Sequence, residues 1–89
     1  MPTRTATVAS RVGLHARPAS LFVQAVTATG LPVTIAKTGG DPVDARSILM
    51  VMGLAVGNNE EVVLTAEGDG ADAALDQLVE LLEIDHDAA

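Results

Sequence analysis

Two stripes of apolar residues at helical spacing, divided by shorter alternating runs, constrain the fold of this chain most. Ala19, Phe22, Val23 and Val26 recur at i, i+3, i+4 and i+7, the pattern of one helix face. Ala71, Ala74, Leu75, Leu78 and Leu82 share a second such face. Between them, Val33 and Ile35 alternate with Thr34 and Ala36, which marks a strand buried on one side. Arg4 to Ala9, with β-branched Thr5, Thr7 and Val8, and Glu61 to Ala66 read as further strands. The turn Thr38-Gly39-Gly40-Asp41 makes Pro42 to Ala45 the hairpin partner of Val33 to Lys37. Ser47 can cap a short helix running to about Gly53. The order is therefore β-α-β-β-α-β-α. One sheet of four strands with three helices on one face buries every stripe, so an α+β open-faced sandwich is expected.

Local signals mark the ends of these elements. Pro18 is tolerated in a first helical turn because its missing N–H has no partner there anyway. Gly30, followed by Pro32, ends that helix. The residue before a proline disfavours helical geometry, which starts the helix at Pro18. A start two residues earlier better suits an anion site, and the sequence leaves both open. Ser10 to Leu14 is a loop with Gly13 as its flexible point, and Gly57-Asn58-Asn59 is a turn. Asp69 can cap the last helix. Asp85 to Ala89 reads as a frayed tail, with His86 a solvated residue in it.

Composition bounds the function classes. The chain has 89 residues, 48% hydrophobic and 19% charged, which is the balance of one folded domain spanning residues 1–89. It has no Cys, so a disulfide framework and thiolate chemistry are excluded. The N-terminus shows no signal-peptide pattern. The longest run without a polar side chain, Ile48 to Gly57, is far shorter than the ~20 residues that span a bilayer. A soluble cytoplasmic protein without membrane insertion is expected.

Charge is divided along the chain. Residues 1–59 hold all five cations (Arg4, Arg11, Arg17, Lys37 and Arg46) and two acids, and residues 60–89 hold ten acids and no Lys or Arg. An anion therefore favours the first half. Five cations are too few for a basic stripe, and the single aromatic residue, Phe22, makes no stacking platform, so nucleic acid is not an expected partner. A single phosphate fits better.

The segment Gly13-Leu14-His15-Ala16-Arg17-Pro18-Ala19-Ser20 carries the chemistry. His15 lies just before a helix or in its first turn. The first N–H groups of a helix lack internal partners and, with the macrodipole, bind anions. Pro18 donates nothing, so the donors nearest His15 are the N–H groups of Ala16 and Arg17. The Arg17 guanidinium matches phosphate oxygens. A neutral imidazole is a nucleophile. Together these describe a phosphohistidine site. There is no Ser-His-Asp set and no P-loop. Two distant histidines without Cys do not make a metal site, and no cofactor is implied. The acids Asp72, Asp76, Glu80 and Glu83 follow helical spacing as a solvated face.

These residues carry a resemblance. The chain resembles the HPr family, the histidine-containing phosphocarriers of the bacterial sugar phosphotransferase system. The match covers nearly the whole chain, with Gly-Leu-His-Ala-Arg-Pro-Ala at 13–19 and Arg-Ser-Ile-Leu-Met-Val-Met-Gly-Leu at 46–54. The resemblance implies an antiparallel sheet, and a phosphoryl group accepted on Nδ1 of His15 from phosphorylated enzyme I and passed to enzyme IIA. It implies that Arg17 stabilises that group, and that the chain is a carrier rather than an enzyme. Relatives often have a polar residue where Val12 stands here, so a steadying hydrogen bond from that position is missing. The alternatives are a carrier in a nitrogen or other regulatory phosphorelay, and a non-covalent ligand-binding regulatory module.

A docking surface is expected beside the site. On a helical wheel, Leu21 and Gln24 point away from the core together with Arg17. The resemblance sends Val51 and Leu54 inward and leaves Ile48, Leu49 and Met52 exposed for partners. Ser47 matches a serine that a dedicated kinase phosphorylates in some relatives, and a plain N-cap hydroxyl is the alternative. Regulatory proteins are therefore possible further partners. A carrier needs its docking face free, so a monomer is expected.

Overall fold

The computed structural model describes residues 2–84, and the expected tail, Asp85 to Ala89 with His86, lies outside them. The described residues form β1 (Thr3–Thr7), α1 (Ala16–Thr29), β2 (Val33–Lys37), β3 (Val43–Asp44), α2 (Ile48–Gly53), β4 (Glu61–Ala66) and α3 (Ala71–Leu82), in the expected order. The sheet runs β1-β4-β2-β3 and every pair is antiparallel. β4 lies between β1 and β2, with Thr5 opposite Val63 and Ile35 opposite Leu64. α1 therefore bridges two strands that do not touch each other.

Alternation decides which side of the sheet is covered. Val62, Leu64 and Ala66 of β4, Val33 and Ile35 of β2 and Ala6 of β1 are buried. Both helical stripes meet them. Ala19, Phe22 and Val26 of α1, with Ala71, Leu75, Leu78 and Leu82 of α3, complete one apolar core. Ala74 is buried as well. Val23, expected on the core face, is only partly buried at its margin. Leu14, Val8, Ala45 and Val56 also belong to the core although they lie outside helices and strands. The loops that carry them are thus tied to the interior.

Several boundaries move. β1 ends at Thr7 rather than Ala9 because the chain changes partners. Val8 N–H still donates to the Glu60 carbonyl, but Ala9 N–H donates to the Leu82 carbonyl at the end of α3. β3 contracts to two residues, since only Thr34–Asp44 and Ile35–Val43 pair. Asp69 does not cap α3. Gly70 is the N-cap, with a left-handed backbone and no side-chain cap bond. A polar residue near a helix start caps only if the backbone turns it toward the free N–H groups, and here the turn Gly68 to Gly70 intervenes.

Ion pairs tie the cationic first half to the acidic second half. Arg4 of β1 donates from Nη2 to Asp72 at 2.9 Å and from Nε to Asp76 at 3.0 Å, both on α3. Lys37 meets Glu60 at 3.3 Å. The acids on α3 are therefore more than a solvated face. Exposed pairs of this kind contribute at most about 1 kcal/mol each, so the apolar core dominates stability. Phe22→Ala is expected to cost about 3–5 kcal/mol, and Arg4→Ala under about 1 kcal/mol. Urea unfolding followed by far-UV circular dichroism tests this contrast, since the chain has no Trp or Tyr.

Candidate functional site

His15 is the N-cap of α1, with extended backbone (φ −139°, ψ 155°). Its side chain is exposed. No side chain caps this helix end, and no acid lies in its first turn. The start of this fourteen-residue helix thus has no side-chain cap beside an accessible imidazole and no carboxylate in its first turn to compete for an anion. The helical run begins at Ala16, not Pro18. Ala16 has φ +51°, a left-handed conformation that costs a non-glycine residue about 1–3 kcal/mol. The left-handed residue lies two before Pro18, so the proline's restriction on its predecessor falls on Arg17, which is nevertheless within the helix. Pro18, now third in the helix, is buried.

The loop before His15 is held by a second loop. Gly13 has φ +70°, and a Cβ there would collide with the Val56 carbonyl and lie 2.8 Å from Gly57 Cα. Leu14 N–H donates to the Val56 carbonyl at 2.9 Å, and Gly13 N–H to the Ser10 carbonyl at 3.0 Å. Leu14 is buried, so its side chain anchors the residue beside His15 in the core. Ser10 is buried, and its Oγ accepts from Val12 N–H at 3.4 Å. On the facing loop, Asn58 Nδ2 donates to the Ala9 carbonyl at 3.2 Å and the Ser10 carbonyl at 3.0 Å. Glu60 Oε1 accepts from Gly57 N–H at 2.9 Å. That bond, with Lys37, holds the Glu60 carboxyl below the usual glutamate range. Sequence reading identified these positions only as loop and turn. Gly13 carried a signal; Ser10 and Asn58 carried none, because their partners are set by how two loops meet.

Around this centre the expected surface residues divide. Arg17 and Gln24 are exposed, and Leu21 is half-buried. Arg17 makes no ion pair among the described residues, whereas Arg4, Lys37 and Arg46 are paired. Gln24 Nε2 donates to Ser20 Oγ. On α2, Ile48 and Leu49 are exposed, at 38% and 80%, as is Met50 at 47%. Met52, like Leu21, is half-buried, part of its side chain packed on the core, and Leu54 is half-buried as well. Six residues make under two helical turns with only Val51 buried, so Met50, not among the expected docking residues, is exposed in addition. Val12 adds an apolar side chain at 55% exposure in the His15 loop. Ser47 caps α2, its Oγ accepting from Met50 N–H at 3.3 Å. Beside it Asp44, its carboxyl lowered by the Arg46 guanidinium and N–H, pairs with Arg46 at 3.2 Å.

Two outcomes follow from the loop contact. Gly13→Ala is expected to destabilise the chain by roughly 2 kcal/mol or more, because the Cβ meets backbone and the φ is strained; urea unfolding measures it. Glu60, depressed in the fold, stabilises above its unfolded pKa of about 4.3, and that contribution disappears as pH falls through the lower folded value. The stability gap between the native chain and Glu60→Gln is therefore expected at neutral pH and closes in acid, which urea unfolding across pH checks.

A family model described as "PTS HPr component phosphorylation site" matches residues 2–83. The phosphocarrier protein HPr of Streptomyces coelicolor is 54% identical over 82 residues, covering 92% of this chain and 88% of the relative. That of Haloferax volcanii is 49% identical over 80 residues, covering 89% and 90%. Among solved structures, an HPr from Thermoanaerobacter tengcongensis superposes with a TM-score of 0.86 at 38% identity, covering 93% of this chain and 92% of that one. The antiparallel sheet, the helix order and these sequence matches agree, and the chain belongs to the HPr family of phosphocarrier proteins of the phosphotransferase system.

Proposed function

We propose that this chain carries a phosphoryl group on His15 from phosphorylated enzyme I to enzyme IIA proteins in sugar uptake. The observation that carries this reading is the exposed imidazole at an uncapped helix start with no acid in its first turn. The neutral ring attacks the phosphorus through Nδ1. The donor's bond to phosphorus breaks as the new P–N bond forms, its electron pair staying on the donor atom, which gains a proton while the His15 ring loses its Nε2 proton. Such transfer needs positioning and charge stabilisation more than covalent help. The N–H groups of Ala16 and Arg17 are the nearest donors to the phosphoryl oxygens. Arg17, without a competing carboxylate among the described residues, is left to supply the cation.

Partners dock on the surface beside it. Ile48, Leu49 and Met50 give an exposed apolar strip with half-buried Met52 at its margin, and Leu21, Gln24 and Arg17 on α1 lie beside it in this reading. Flexible Met suits a face that accepts several proteins in turn. That use favours a monomer with its face free. No helix among the described residues is long and apolar enough to cross a membrane, and a cytoplasmic carrier is the consistent proposal. Ser47 works as a helix cap; a phosphate there would still offer acceptors to the free N–H groups of α2 and would set negative charge beside the docking strip, which is how it would regulate.

The test is intact mass after incubation with phosphoenolpyruvate and enzyme I. One added phosphoryl group that brief acid removes is expected. His15→Ala is expected to abolish it with the fold retained, and phosphorylation persisting in that variant overturns the assignment. Arg17→Ala is expected to slow transfer by about 10–100-fold. A faster reaction with an enzyme I of a nitrogen phosphorelay would instead place the chain in regulation.

A further inference from the structure

We propose that Asn58 is a positioning residue for the phosphoryl-accepting loop, an inference that rests on the assignment of His15 above. His15 makes no side-chain cap bond, and Val12 offers no polar side chain to steady it. The orientation of the imidazole therefore depends on the backbone that leads to it. That backbone turns at Ser10, whose carbonyl accepts Gly13 N–H at 3.0 Å. Asn58 Nδ2 donates to the same carbonyl at 3.0 Å and to that of Ala9 at 3.2 Å. One amide group thus grips two successive carbonyls at the root of the turn.

Asn58 is itself held in place. Its neighbour Asn59 donates its N–H to the Val8 carbonyl at 2.8 Å from a left-handed backbone, φ +65°. On the other side, Glu60 Oε1 closes the turn onto Gly57 N–H. The grip therefore lies between two backbone bonds joining the same loops, Asn59 N–H to Val8 and Leu14 N–H to Val56. A displacement of about 1 Å in a reacting group can cost up to about 100-fold in rate, so loosening this turn acts on His15 without touching it.

The test uses enzyme I as catalyst and the full chain as its substrate. Asn58→Asp keeps the shape but turns the donor group into an acceptor facing two carbonyls. It is expected to lower kcat about tenfold while KM stays within about twofold, because the strip on α2 is unchanged. Asn58→Gln, which keeps the donor, is expected to recover part of the loss. Amide hydrogen exchange is expected to quicken at Gly13 and Leu14 and stay slow in the β2–β4 ladder. Native kcat in Asn58→Asp overturns the proposal. So does a rise in KM alone, or a fall in kcat accompanied by faster exchange throughout the sheet, which marks a general loss of fold. If the native chain accepts no phosphoryl group, the His15 assignment fails and this proposal with it; if it does and Asn58→Asp matches it, this proposal alone fails.

Discussion

The close approach of Gly13 to the Val56 carbonyl and Gly57 Cα is the contact on which the rest of the site depends. It needs a residue without Cβ and with positive φ, and it allows Leu14 N–H to bond Val56 while the Leu14 side chain enters the core. The residue that follows is then forced to the surface at a fixed place. His15 is exposed because Leu14 is buried, and it faces the start of α1 because Ala19, Phe22 and Val26 fix that helix on the sheet. An exposed imidazole on a loop is thus placed by a rigid interior.

Strain gathers near the same place. Ala16 and Asn59 both adopt left-handed φ, one directly after His15 and one in the facing turn, and Ala55 does so earlier in the facing loop. Each costs about 1–3 kcal/mol and persists only where the surroundings over-determine it. Buried Pro18 and Ala19 hold the chain just after Ala16, and the bond from Asn59 N–H to Val8 holds Asn59. The core supplies the stability that permits them.

Electrostatics in the fold differ from the linear charge map. Arg4, Lys37 and Arg46 meet carboxylates, two of them across the divide between cationic and acidic halves. Pairing lowers the reach of those charges. The sparse cations of the first half are thereby sorted into structural pairs and a cation at the start of α1, Arg17, that no described carboxylate pairs.

Periodicity and short-range chemistry determined the fold class, the seven elements in order, the helical stripes and the string around His15. These are local properties: an apolar period of two or 3.6 names the element and its buried face, and Gly-Leu-His-Ala-Arg-Pro names a chemistry. Ser47 as the α2 cap was legible for the same reason, since its partner is three residues away. Tertiary structure decided the rest. How much of Met50 and of Met52 reaches solvent in a six-residue helix depends on how Val51 seats against the core. The left-handed start at Ala16, the end of β1 at Thr7 and the grip of Asn58 on Ala9 and Ser10 arise from segments that meet only when folded. Asn58 and Ser10 stand 48 positions apart, and no local preference encodes a hydrogen bond whose partner is brought by the packing of a separate loop.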